Sequence, residues 1–188
     1  MAQDGSRNIA DVTDTFGDLD VFRRHGGKLL TFVGANDQLI MPHGVIHYYR
    51  HMATRFGKGN GADFDRLQDF YRLFRAPGVG HCGGGNGPQP QNLFGALVNW
   101  VEHGTAPAQI LAQTSGGAVT RPLCPYPQTA IYNGAGSPNV AASFHCGGDL
   151  ETPEVVCADV LTKYKHEVKG GLDFSDDGVD HHLCQSGN

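Results

Sequence analysis

The apolar and polar positions in the first half of the chain predict two successive rounds of strand, loop and helix. Residues 28–33 form a largely apolar run of the length expected of a strand buried on both faces. After Pro42, apolar side chains recur at helical spacing until the glycine-rich residues 57–61. Residues 70–74 repeat the strand pattern, and residues 92–101 repeat the helix pattern. This alternation is typical of an α/β protein with a parallel sheet.

The regions on either side of these elements carry weaker patterns. A short helix is predicted around residues 18–25, ended by two glycines. Beyond residue 108 the pattern weakens into Pro, Gly and Ser, interrupted by one predicted helix at about residues 154–168. Because two strands cannot make a stable parallel sheet, the other strands are expected from residues not present here or from another chain.

Charge and composition exclude two classes of partner. The formal net charge is -5, and no basic block or Lys/Arg stripe is present to neutralise phosphates or anionic lipids. Nucleic acid and membrane surfaces are therefore not expected as partners, and no apolar run approaches the ~20 residues of a membrane helix. Residues 1–14 have neither the charged nor the apolar region of an export signal, so an export signal would lie outside this sequence.

Five cysteines are dispersed along the chain, at positions 82, 124, 146, 157 and 184. Their spacing fits neither a zinc ribbon nor a CxxC redox site. Disulfides in an exported protein explain them better, because the C-terminal third is too poor in core residues to hold itself together. The odd cysteine is then either a free thiol or half of a bridge whose partner lies elsewhere.

Two residues are candidates for catalysis. Asp37 follows the first predicted strand and His81 follows the second, so both are expected at the carboxyl edge of the sheet. There a carboxylate can orient an imidazole that takes the proton of a serine, and the chain order Asp then His is that of α/β-hydrolases. In the alternative, purely structural interpretation, Asp37 makes an Asx turn and His81 is an ordinary loop histidine.

No metal site is predicted. His43, His47 and His51 recur on one side of a helix, but a solvated polar face explains them more simply than a metal. The acidic stretch at residues 173–178 resembles the start of a calcium loop, yet Cys184 stands where the bidentate Glu is required.

The amino-acid sequences of several motifs resemble those of the tannase and feruloyl esterase family over most of residues 18–146. The matching stretches are GKLL at 27–30, GANDQLI at 34–40, FYRLFRAPGVGHCGGG at 70–85, ALVNWVEHG at 96–104 and RPLCPYPQ at 121–128. The resemblance implies the C-terminal part of an α/β-hydrolase fold, with parallel strands, flanking helices and a disulfide-stapled tail. It also implies a secreted or periplasmic serine esterase acting on small phenolic esters, in which Asp37 and His81 belong to the catalytic triad.

The same resemblance implies the cysteine pairing. In the family a disulfide joins the cysteine beside the nucleophile to the cysteine after the histidine, which corresponds to Cys82 here. Such a bridge would tie two loops together and keep serine and imidazole within hydrogen-bond reach. The family pattern also implies a Cys124–Cys146 pair. By elimination, Cys157 and Cys184 would then form a second disulfide that holds the C-terminal tail. Cys82 then has no partner in this sequence.

The departure from the family pattern is the nucleophile. None of the six serines lies in a G-x-S-x-G elbow between a strand and a helix. The upstream strands, the oxyanion hole and the lid with its calcium site are missing as well, so no cofactor is expected. We therefore divide the chain into residues 1–112, the C-terminal part of a catalytic domain, and residues 113–188, a Cys/Pro/Gly-rich segment packed on it.

Three functional hypotheses remain at this point. In the first, the parent protein hydrolyses phenolic-acid esters, while this chain alone has little or no activity. In the second, the chain is a non-catalytic module that completes a hydrolase by binding an N-terminal hydrolase fragment, or that associates with itself. In the third, the chain is an esterase whose nucleophile is Cys82 or a serine outside the family arrangement.

Overall fold

The fold is known from a computed structural model, which describes residues 19–57, 59 and 61–150. The predicted helix at residues 154–168 and the proposed Cys157–Cys184 pair lie outside the described residues. Four α-helices occur in the described part: α1 at Asp20–Arg24, α2 at Pro42–Phe56, α3 at Phe64–Gln68 and α4 at Leu93–His103. Seven strands accompany them: β1 at Leu29–Gly34, β2 at Tyr71–Ala76, β3 at Gln89–Pro90, β4 at Ile110–Gln113, β5 at Thr120–Leu123, β6 at Thr129–Tyr132 and β7 at Phe144–Gly147.

The two predicted strands form a parallel pair, as the α/β pattern requires. Their register runs from Leu29 opposite Tyr71 to Gly34 opposite Ala76. Helix α2 begins at Pro42, which suits the first turn because its missing N–H has no helical acceptor, and it ends before Gly57. Strands β1 and β2 and helices α2 and α4 therefore confirm the elements that the apolar spacing predicts.

Two apolar cores lie on opposite faces of this strand pair. On one face, α2 contributes Tyr49 and Met52, which are buried against Leu73 of β2. On the other, Phe74 and Ala76 of β2 pack with buried side chains of β4 and β5, namely Ile110, Ala112 and Leu123. Burial on both faces explains why the strand sequences are largely apolar rather than alternating.

The antiparallel strands after residue 108 are not apparent from the sequence. Strands β3, β4 and β5 form one sheet, and β6 pairs with β7. They are two to four residues long, and Pro90 and Pro122 stand inside β3 and β5, where a proline argues against a strand. Strand β6 is largely exposed, so it lacks an apolar alternation. None of the described helices has the length and apolar character needed to cross a membrane.

Cys124 and Cys146, the pair that the family resemblance implies, are joined by a disulfide. The bridge ties the residue after β5 to β7, across 22 residues of sequence. Replacing both cysteines by alanine is expected to lower the free energy of unfolding by about 3 kcal/mol, because the unfolded chain regains the entropy of that loop. Urea unfolding monitored by circular dichroism measures this loss, with Cys82→Ala as the control. Equal unfolding midpoints in all three proteins would show that the bridge adds no stability.

Candidate active site

Asp37 lies in the loop after β1, where a local hydrogen-bond pattern fixes its carboxylate. Its Oδ1 accepts hydrogen bonds from the backbone N–H groups of Leu39 and Ile40, both at 2.9 Å. Its own N–H donates to the carbonyl oxygen of Gly34 at 3.2 Å. The side chain is about 10% exposed. The Asx turn of the structural interpretation is therefore present. It orients the carboxylate and leaves it able to take a second role.

His81 lies in the loop after β2, at the start of a 3-10 turn over His81–Gly83. Cys82 has a φ of 52°, and Gly83 and Gly85 both have a φ of 92°. A side chain on Gly85 would also collide with the carbonyl oxygen of Gly78. The glycine-rich stretch therefore supplies the left-handed backbone and close packing that this loop needs.

The structure brings the two predicted residues together. The imidazole Nδ1 of His81 lies 3.1 Å from Oδ2 and 3.2 Å from Oδ1 of Asp37. The imidazole is about 32% exposed, more than the carboxylate beneath it. With Nδ1 turned to Asp37, Nε2 is the nitrogen left for an external partner, and it has no hydrogen-bond partner among the described residues.

Backbone and side-chain hydrogen bonds join the two loops directly. Asn36 donates its N–H to the carbonyl oxygen of Val79 at 3.0 Å, and its Oδ1 accepts from the N–H of Gly78 at 3.1 Å. A Cβ on Gly34 would stand 2.5 Å from the Val79 oxygen, so only glycine lets the loops come this close. Gly34 and Asn36 therefore hold the two loops together, and the strand and helix pattern of the sequence does not indicate this contact. The one feature of the sequence that points to these two residues is their position just before Asp37.

The pKa of Asp37 lies below its ordinary value of 3.8. Burial alone would raise this pKa, but the hydrogen bonds from Ile40, Leu39 and His81, together with the charge of His81, lower it by more. The ionised carboxylate therefore stabilises the folded chain above pH 3.8. That contribution is lost as the pH falls from 3.8 through the folded-state pKa.

Carbon-13 NMR of the Asp37 carboxyl group is expected to give a pKa under 3.8 in this chain. His81→Ala should raise that pKa, because one hydrogen bond and one positive charge are removed, while the Asx-turn bonds remain. The exposed helix residue His47 supplies the control His47→Ala, which should leave the titration unchanged. If His81→Ala also leaves it unchanged, the contact with His81 is not formed in solution.

The other candidate groups are not brought into this site. Cys82 is exposed, and its thiol is free among the described cysteines. Of the described serines, Ser115, Ser137 and Ser143, none hydrogen-bonds to His81. His43, His47 and His51 are exposed on α2, and no cluster of three metal-ligating side chains occurs in the part of the chain that the structure describes.

The fold and the site thus define an α/β protein with an Asp–His pair at the carboxyl edge of two parallel strands. A family model described as tannase and feruloyl esterase matches residues 1–147. The chain belongs to the tannase and feruloyl esterase family, which confirms the resemblance seen in the motifs. Its relatives are esterases and other ester hydrolases by name.

Two relatives and two solved structures show the extent of the likeness. The chain is 41% identical over 135 residues to the mono(2-hydroxyethyl) terephthalate hydrolase of Piscinibacter sakaiensis, covering 69% of this chain and 21% of that protein. It is 40% identical over 140 residues to a probable feruloyl esterase of Arthroderma benhamiae, covering 71% of this chain and 25% of that protein. An esterase structure from Aspergillus oryzae matches with a TM-score of 0.61 at 33% identity, over 69% of this chain and 29% of that structure. The tannin acyl hydrolase of Aspergillus niger matches with a TM-score of 0.61 at 26% identity, over 71% of this chain and 25% of that structure.

Proposed function

We propose that this chain supplies the acid–base half of a serine esterase, with Asp37 and His81 as two members of its triad. The observation that carries the proposal is the contact of His81 Nδ1 with the Asp37 carboxylate. Asp37 holds the imidazole with its proton on Nδ1 and stabilises the imidazolium once it forms. Nε2 then takes the proton from the attacking serine hydroxyl and later delivers it to the leaving alcohol.

The nucleophile of the proposed reaction comes from outside this sequence. The chain spans 21% of the terephthalate hydrolase and 25% of the probable feruloyl esterase, so most of the length of such an enzyme is not represented here. In the proposal that remainder provides the serine elbow, the oxyanion hole, the other strands, the lid with its calcium site, and the cysteine partner of Cys82. An acyl-enzyme forms on that serine, and water hydrolyses it with His81 again acting as base.

Esters of aromatic carboxylic acids are the proposed substrates. The names of the relatives mention feruloyl esters, mono(2-hydroxyethyl) terephthalate and tannins. All three are esters whose acyl group carries an aromatic ring, whereas the alcohols differ. We assign the aromatic acyl ester as the substrate class of the complete enzyme, and a secreted or periplasmic location as its setting.

A hydrolysis assay on two proteins tests this proposal. The first is the isolated chain, which should not hydrolyse methyl ferulate, methyl gallate or a nitrophenyl ester, because in the proposal the serine and the oxyanion hole belong to the remainder of the enzyme. The second, called the hydrolase chimera below, is the terephthalate hydrolase of Piscinibacter sakaiensis in which this chain replaces the matching region. The chimera should hydrolyse an aromatic acyl ester. A folded but inactive chimera, or an isolated chain whose activity disappears with His81→Ala, would contradict the proposal.

A further inference from the structure

A cavity of about 300 Å³ lies beside the antiparallel strands that follow the candidate active site. Arg121 lines it from β5, Thr129 from β6 and Phe144 from β7. Neither Asp37 nor His81 is among the lining residues. Ligand pockets in proteins usually measure ~300–1,000 Å³, so this cavity has room for one small ring.

The walls of the cavity are largely apolar. Pro77 directly follows β2 and Pro88 directly precedes β3, so these two lining residues stand at the two ends of the loop that carries His81. Pro122 and the ring of Phe144 add further apolar surface. The proline rings fix their own backbone φ, which favours a preformed wall. Apolar walls with few polar groups are typical of sites that bind a small organic molecule.

Among the described residues that line the cavity, Arg121 is the only charged one. Its guanidinium lies over the ring of Phe144, 4.4 Å from the ring centroid. Its Nη1 donates a hydrogen bond to the carbonyl oxygen of Thr120 at 2.8 Å. No carboxylate of the described chain forms an ion pair with it. The guanidinium therefore keeps its charge and further N–H groups for an anion.

We propose that this cavity binds a carboxylate carried on a single aromatic ring, with the carboxylate on Arg121 and the ring against the prolines and Phe144. A guanidinium matches a carboxylate through two parallel N–H···O bonds, and an aromatic ring pairs favourably with another ring. A phosphate group fits less well, because the walls offer it one cation and little else that is polar. The proposed reaction releases an acid of this class, but the assignment of the cavity does not depend on that reaction.

An NMR titration of the isolated chain with benzoate tests this site. Methyl benzoate, which keeps the ring and has no charge, should bind at least about tenfold more weakly than benzoate. Cyclohexanecarboxylate, which keeps the charge and has no aromatic ring, should bind about threefold more weakly. Equal affinities for the acid and its ester, or for the two acids, would overturn the assignment of an aromatic carboxylate.

Two substitutions locate the bound benzoate, each with a matched control. Arg121→Gln should weaken binding at least about tenfold, whereas Arg75→Gln, at an exposed position of β2 outside the cavity, should leave it within about twofold. Thr129 lines the cavity and is exposed, so Thr129→Trp should fill the cavity, keep the fold and abolish binding. Gln128→Trp, at the exposed neighbouring position that does not line the cavity, should keep benzoate affinity.

The remaining outcomes separate this inference from the proposed function. Absence of benzoate binding, or binding that survives both Arg121→Gln and Thr129→Trp, would overturn the inference. Binding lost with His81→Ala would overturn it as well, because the benzoate would then lie at the Asp37–His81 pair. In the hydrolase chimera, benzoate binding should still depend on Arg121, and independence from Arg121 would show that the rest of the enzyme fills the cavity and would overturn the inference. A chimera that binds benzoate through Arg121 and hydrolyses no ester contradicts the proposed function alone.

Discussion

Replacing His81 by alanine in the hydrolase chimera is expected to lower kcat by a factor on the order of 10⁴ to 10⁶. Without the imidazole no group takes the serine proton or protonates the leaving alcohol, and only substrate binding and the oxyanion hole continue to lower the barrier. A factor of 10⁴ corresponds to about 5.5 kcal/mol of lost transition-state stabilisation. Steady-state hydrolysis of an aromatic acyl ester measures the effect, with KM expected to change far less than kcat.

The matched control for this substitution is His47→Ala on α2. His47 is exposed and does not contact Asp37 in the described structure, so its loss should leave kcat within about twofold. Circular dichroism should give the same spectrum for both variants, since His81 is itself partly exposed. A loss of less than tenfold with His81→Ala would remove His81 from the proposed mechanism.

Asp37→Asn in the same chimera is expected to lower kcat by a factor on the order of 10⁴. The asparagine amide is nearly isosteric, and its oxygen can still accept the hydrogen bonds from Leu39 and Ile40 that shape the loop. The negative charge is lost, however, and an NH₂ group can turn toward His81, which favours the tautomer with Nε2 protonated and unable to act as a base. The rate should therefore fall while the fold is kept.

This substitution separates the two interpretations of Asp37. If the residue served only the Asx turn, asparagine would replace it well, because it makes the same turn, and kcat would fall by no more than a few fold. Asp63→Asn is the matched control. Asp63 caps α3 by accepting a hydrogen bond from the N–H of Arg66, and asparagine is an equally good cap. That variant should keep both its stability and its kcat.

The sequence predicts the part of the fold in which apolar spacing is regular. Strands β1 and β2 are recognisable as short, largely apolar runs, and α2 is recognisable by the helical spacing of its apolar residues. Strands β3 to β7 carry no such pattern, because they are short, contain Pro90 and Pro122, or have few buried positions. Their pairing depends on tertiary contacts and on the Cys124–Cys146 bridge, which no local pattern reports.

The sequence likewise predicts some residues of the candidate site and misses others. The sequence indicates Asp37 and His81 because each follows a strand, and parallel strands bring their carboxyl ends to one edge. The Asn36 hydrogen bonds and the close approach at Gly34 are invisible to such spacing, since they depend on the distance between two loops. From the sequence, the Asx turn and the contact with His81 are alternative roles for Asp37, whereas in the structure the same carboxylate makes both.

A double-mutant cycle on Asp37 and His81 in the hydrolase chimera tests the central claim most directly. If the two residues act as one unit, their effects on kcat/KM are strongly non-additive. Adding Asp37→Asn to His81→Ala should then change kcat/KM by no more than about threefold, although Asp37→Asn alone lowers it by about 10⁴. A double mutant whose loss equals the product of the two single losses, or single mutants that keep their activity, would contradict the account.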